Sequence, residues 1–170
     1  MLYRLMTRGE REIAPALGGG DLTIARIESG APRTARMRLG AVLVRLSGTV
    51  RICDPYYGVR TLDSLDHIPA SCLVRFLTAR TNEAGPKLQG ALNDFKKERP
   101  NIEFRTAAKP GELHDRYVLT SSGLLIVGHG LKDIGGKESF MVEIKRDLAK
   151  DLVRQMREAF DARWKSATPI

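Results

Sequence analysis

Cysteine is almost missing from this 170-residue chain, with Cys53 and Cys72 the only two. Both lie in apolar stretches that read as strands, so they act as small buried hydrophobes, and a disulfide framework or thiolate metal site is not expected. Histidine is as scarce. His67, His114 and His129 are too dispersed for metal-ligand spacing, and neither a metal nor a cofactor is expected. One Trp, four Tyr and five Phe are scattered along the chain, which gives little support to base stacking in the manner of single-strand binders. No window approaches the roughly 18 continuous apolar residues of a membrane span, and the opening residues Met1 to Met6 lack the apolar core of a signal peptide. A cytoplasmic home is the expectation. Internal repeats and low-complexity tracts are absent as well.

What is present supports one ordinary globular core, since 170 residues with 42% hydrophobic content is too little for two domains to be read with ease. Lys and Arg outnumber Asp and Glu by 28 to 20, leaving a formal charge of +8. That balance favours polyanionic partners, nucleic acid or anionic lipid headgroups, although a basic protein without such a partner has the same composition.

Residues 2–17 are weakly helical and basic and stop at Gly18-Gly19-Gly20. An extended segment from Asp21 to Glu28 follows, then a helix opened by Pro32 and running to about Leu46. From Val50 the pattern is regular: strand Val50–Cys53, helix Thr61–His67, strand Leu73–Thr78, helix Pro86–Glu98 and strand Ile102–Arg105. Strands alternating with helices imply βαβ units and a mixed, mostly parallel sheet flanked by helices. A hairpin then joins Tyr117–Leu119 to Leu124–Val127, followed by strand Phe140–Ile144 and a helix from Asp147 to about Lys165. In that last helix Leu148, Leu152, Met156, Phe160 and Trp164 form a drifting apolar stripe of the kind that packs on a sheet.

The hairpin is flanked by the residues that carry chemistry. His114-Asp115-Arg116 leads into it, setting an imidazole and a guanidinium two residues apart on one strand so that both point to the same face, with Asp115 on the other. Gly128-His129-Gly130-Leu131-Lys132-Asp133 leads out of it. A planar cation, an imidazole able to attack or protonate, and nearby backbone N–H groups suit a phosphate. His129 and Lys132 are further candidate donors, although the glycines Gly128 and Gly130 also suit a simple bend. Asp54 follows a central strand, where open α/β sheets place ligand crevices, and Asp54-Pro55 is equally a turn former.

Asp54-Pro55-Tyr56, Leu77-Thr78, His114-Asp115-Arg116 and Gly128-His129-Gly130-Leu131, in this order over residues 48–145, resemble the phospholipase-D-like domain at the C-terminus of microtubule-interacting-and-trafficking proteins and its bacterial relatives. The resemblance implies a single α/β phospholipase-D-like domain over residues 48–170 whose β-hairpin carries the His-x-Arg motif, with residues 1–47 as an extension packed on the core. It further implies a metal-independent phosphodiesterase in which one His forms a phosphohistidine and a second protonates the leaving group. With one motif per chain, the two histidines would be His114 from each copy of a homodimer. Glu143 stands near the carboxylate that orients the nucleophile in active relatives, and its alternation with Val142 and Ile144 is read equally well as solvent exposure.

The departures from the superfamily's His-x-Lys-x4-Asp pattern are equally specific. Arg116 replaces the Lys, Ser121 the Asp, and His129 and Lys132 stand roughly where its Ser and Asn fall. Arginine retains the charge and gains bidentate phosphate geometry, so recognition is preserved better than turnover. Two functions follow. His114, Arg116 and Glu143 are the candidate catalytic residues of a phosphodiesterase, a nuclease by its charge. Arg116, Gly128, His129, Gly130, Lys132 and Asp54 are the candidate phosphate ligands, and they suffice for the alternative of a degenerate module binding nucleic acid, phosphoinositide or a protein partner within a larger system.

Overall fold

Proline opens two of the helices at first-turn positions, where its missing N–H is not needed: Pro32 and Pro86. The computed structural model describes residues 21–81 and 85–170. In chain order these form β1 (Leu22–Ile27), α1 (Pro32–Leu43), β2 (Thr49–Cys53), β3 (Tyr56–Tyr57), α2 (Val59–Leu65), β4 (Leu73–Thr78), β5 (Arg80–Thr81) and α3 (Pro86–Glu98). There follow β6 (Ile102–Thr106), β7 (Tyr117–Leu119), β8 (Gly123–Val127), β9 (Ser139–Lys145), α4 (Lys150–Ser166) and β10 (Thr168–Pro169). The helical reading of residues 2–17 lies outside the described residues.

One eight-stranded mixed sheet runs in the order β1-β9-β8-β7-β2-β4-β6-β10, and β3 pairs with β5 in a separate ribbon. Parallel pairing is found where a helix crosses over, between β2 and β4 through α2 and between β4 and β6 through α3. The other neighbours in the large sheet are antiparallel, so the parallel character read from the βαβ pattern belongs to the β2-β4-β6 core.

Side-chain alternation divides the core into two layers. Val50, Ile52, Val74, Phe76, Ile102, Phe104 and Val118 meet α1, α2 and α3 on one face. Cys53, Leu77, Tyr117, Leu119 and Leu124 meet Val153, Phe160 and Trp164 of α4 on the other. Ile27 of β1 and Ala35, Leu39 and Leu43 of α1 belong to the first layer, so part of the segment read as an N-terminal extension supplies an edge strand and a core helix. Cys53 and Cys72 are buried free thiols.

The apolar stripe of α4 is only partly inside. Phe160 and Trp164 are buried, whereas Leu148 and Leu152 are each 43% exposed. Side chains spaced by four residues rotate about 40° per step around a helix, so a stripe that faces the sheet at its C-terminal end has turned away at the other. Leu148 in fact precedes the helix.

Candidate functional site

Direction alone brings the motifs to one edge of the sheet. The parallel strands β2 and β4 end there, β7 begins there, β8 ends there and β9 begins there. Cys53 is in register with Leu77 of β4 and with Tyr117 of β7, so the next row outward sets Thr78, Asp54 and Arg116 side by side. Alternation turns this row toward the face covered by α1, α2 and α3.

Asp54 is fully buried at the centre of the row. Its Oδ2 accepts the Leu131 N–H at 2.7 Å, its Oδ1 accepts the Tyr56 N–H at 3.1 Å, and Arg116 Nε lies 3.6 Å from Oδ1. Burial raises its carboxyl group to about 6, against the pull of these two amides and of Arg116. One side chain therefore fixes both the turn after β8 and the cation beside it. Gly130 runs directly over this pair: a Cβ there would lie 3.6 Å from both carboxylate oxygens and from Arg116 Nε. Gly128 is more tightly constrained, since its Cβ would come within 2.7 Å of Ser139 Oγ and 3.3 Å of the Phe140 ring.

Arg116 is the pivot of the site. Its guanidinium lies 5.9 Å from the centre of the Tyr56 ring, and Arg80 lies 5.3 Å from the same ring and donates to the Tyr56 hydroxyl at 3.3 Å. Two cations thus share one aromatic ring at the carboxyl ends of β2 and β4. Arg116 Nε is buried and donates no hydrogen bond; Thr78 Oγ1 and Ser139 Oγ at the same edge are also buried without partners. Buried polar atoms are seldom left unpaired, and of the four among the described residues only Arg99 Nε, at the end of α3, lies away from this edge, a grouping that suits a polar ligand.

The structure redistributes several residues named from the sequence. His114 and Arg116 are not on the strand: β7 starts at Tyr117, although the Arg116 carbonyl already accepts the Val127 N–H at 3.0 Å. His114 is exposed and, among the described residues, has no hydrogen-bond partner. Asp54, a phosphate ligand by the sequence pattern, has its oxygens occupied by amides and facing a cation; its geometry is that of an anchor. Glu143 is paired with Arg45 at 3.0 Å and sits in register with Leu125, two residues along β9 from Met141, so it does not orient His114 within the chain. Lys132 Nζ is held 2.6 Å from Asp133, which offsets its charge. His129 is half-buried in the turn, and its N–H and that of Gly130 have no acceptor among the described residues, while the Gly128 N–H donates to Phe140.

Arg80, Thr78 and Ser139 were not among the residues singled out as ligands. Arg80 had a usable signal, for it follows the end of a parallel strand. Ser139 had none, because its place depends on the turn that precedes it. Among the described residues no group of three His, Cys, Asp or Glu is placed to hold a metal ion, and no helix is long and apolar enough to cross a membrane.

No family model matches the sequence, and no curated protein matches it. Solved structures do. The chain is similar to Nuc from Salmonella typhimurium, a phospholipase D family member, with a TM-score of 0.64 at 12% identity over 88% of this chain and 97% of that one. It is similar to NucT from Helicobacter pylori, with a TM-score of 0.62 at 9% identity over 88% and 99% of the two chains. TrmBL2, an archaeal chromatin protein whose structure shows DNA binding, aligns with a TM-score of 0.56 at 15% identity over 86% of this chain and 54% of its own. The fold is phospholipase-D-like.

Proposed function

We propose that this chain engages phosphodiester groups of nucleic acid at the sheet edge, with Arg116 as the principal phosphate ligand, and that two copies cleave them through His114. The observation that carries the reading is the state of Arg116: a guanidinium held against a buried carboxylate and an aromatic ring, with a buried Nε that makes no hydrogen bond. A planar cation fixed in this way offers its remaining donors to a phosphate with little ordering left to do. Arg80 adds a second cation, and the free amides of His129 and Gly130 add donors from the turn. The formal charge of +8 favours a polyanion, and the fold is shared with a phospholipase D family member and with a DNA-binding chromatin protein.

In the proposed reaction, the His114 imidazole of one copy attacks phosphorus as the bond to the leaving oxygen breaks. His114 of the other copy supplies the proton to that oxygen, and water then cleaves the phosphohistidine and restores both groups. The reading places the dimer in the cytoplasm and assigns no metal to the step.

A second reading is a binding module without turnover, in which the same Arg116 site holds nucleic acid or an anionic headgroup. The Arg45–Glu143 pair favours it, since that pairing leaves His114 with no orienting carboxylate in its own chain.

The test is incubation with labelled DNA and RNA in EDTA, with cleavage and mobility shift read on the same samples for the wild type and His114→Ala. Cleavage by the wild type that is lost in the variant while the shift remains is the expected result. A shift without cleavage in both proteins would select the second reading, and the absence of either signal would reject both.

A further inference from the structure

The loop between β6 and β7, residues 107–116, carries His114 and passes over the sheet edge toward the α4 face, where Ala107 and Leu113 are buried in the α4 layer. Between this loop and the last turns of α4 lies an open cleft of about 330 Å³, walled by Ala107, Lys109 and Glu112 on one side and by Ala162, Arg163 and Ser166 on the other. Its charges are unequal. Lys109 and Glu112 pair with each other at 3.2 Å, whereas Arg163 is half-buried and, among the described residues, has neither an acid within ion-pair distance nor a hydrogen bond from its guanidinium. Asp115, like Arg163, acts on the buried Cys53 and Tyr117, and among the described residues no ion pair joins the two. An unpaired arginine that has given up part of its hydration gains most from an anion.

We propose that this cleft is a second phosphate subsite, in which Arg163 holds a phosphate of the same strand that Arg116 engages, so that the strand crosses loop 107–116. The inference rests on the phosphodiester reading above and narrows it to polymers, because Arg116 turns toward the α1–α3 face and Arg163 belongs to the α4 face, so that contact with both asks for more than one diester. Arg163 is here a specificity determinant, remote from the reacting bond.

The experiment compares two probes by fluorescence anisotropy, a labelled single-stranded 12-mer and a labelled dinucleotide with one diester, on the wild type, Arg163→Gln, Arg163→Lys, Ala162→Glu and Arg116→Ala. Arg163→Gln should weaken the 12-mer roughly tenfold and lower its log–log salt slope by about 0.7, as expected for one lost contact to a single strand. Dinucleotide affinity should not change, and Arg163→Lys should recover most of the salt slope. Ala162→Glu places an acid at an exposed position on the same wall and should reproduce the loss without touching Arg163. Unchanged 12-mer binding in both Arg163→Gln and Ala162→Glu would overturn the subsite, as would equal losses for the two probes. If Arg116→Ala weakens both probes while Arg163→Gln weakens neither, only the subsite fails. If Arg116→Ala leaves both untouched, or the wild type binds neither, the reading it rests on fails and the subsite with it.

Discussion

Asp54 pays for the order of the site with its own ionisation. Its carboxyl group stands at about 6 in the folded protein against an ordinary 3.8, so between those values the folded state holds the proton more tightly than the unfolded chain does. The contribution of this group to stability is therefore greatest below the window and falls as pH rises through it, by roughly 3 kcal/mol for a shift of this size. Asp54→Asn removes the titration. It also turns an amide NH2 toward the Leu131 N–H or Arg116 Nε, a loss of about 1–3 kcal/mol. Chemical denaturation from pH 4 to pH 7 should thus show a decline in wild-type stability that is absent in Asp54→Asn, whose curve lies lower at acid pH. Parallel curves for the two proteins would show that Asp54 ionises as it would in water.

Among the elements, α4 is where burial and periodicity disagree most, and truncation can measure the difference. Phe160 is fully buried and stacks on Trp164 with ring centres 5.7 Å apart, so Phe160→Ala should cost about 3–5 kcal/mol. Leu152→Ala, at a 43% exposed position of the same stripe, should cost under about 1 kcal/mol. Equal losses in urea unfolding would mean that α4 sits on the sheet in another rotation. The elements legible in the sequence were those with several periodic apolar residues between turn signals: β1, β2, β4, β6, the β7–β8 hairpin, β9 and the four helices, with α3 read to its ends. The two-residue pairings β3–β5 and β10–β6 carry too little pattern to be read. The candidate site was legible as a neighbourhood in part, since strand direction alone gathers Asp54, Arg116 and Gly128–Gly130, whereas His114 lies out on the loop before β7. Individual roles were not. Asp54 became an anchor because of an amide 77 residues away, and Glu143 is placed by the β8–β9 register, where it pairs with Arg45, 98 residues away.

At the scale of the whole molecule, one sheet separates two helical layers and collects at a single edge the ends of β2, β4 and β8 and the starts of β7 and β9. A charge excess of +8 favours polyanions at the surface in general, but among the described residues only this edge fixes a guanidinium between a buried carboxylate and an aromatic ring. The account stands on that distinction between diffuse and positioned charge. Arg116 tests it most directly, through equilibrium binding of a labelled oligonucleotide to the wild type, Arg116→Ala and Arg116→Lys over a range of salt concentrations. Arg116→Ala should weaken binding by about 1.5–3 kcal/mol, far beyond the effect of removing an exposed basic residue such as Lys137, and Arg116→Lys should recover only part of it. Losses no larger than those of Lys137→Ala would contradict the account and leave net charge as the whole basis of binding.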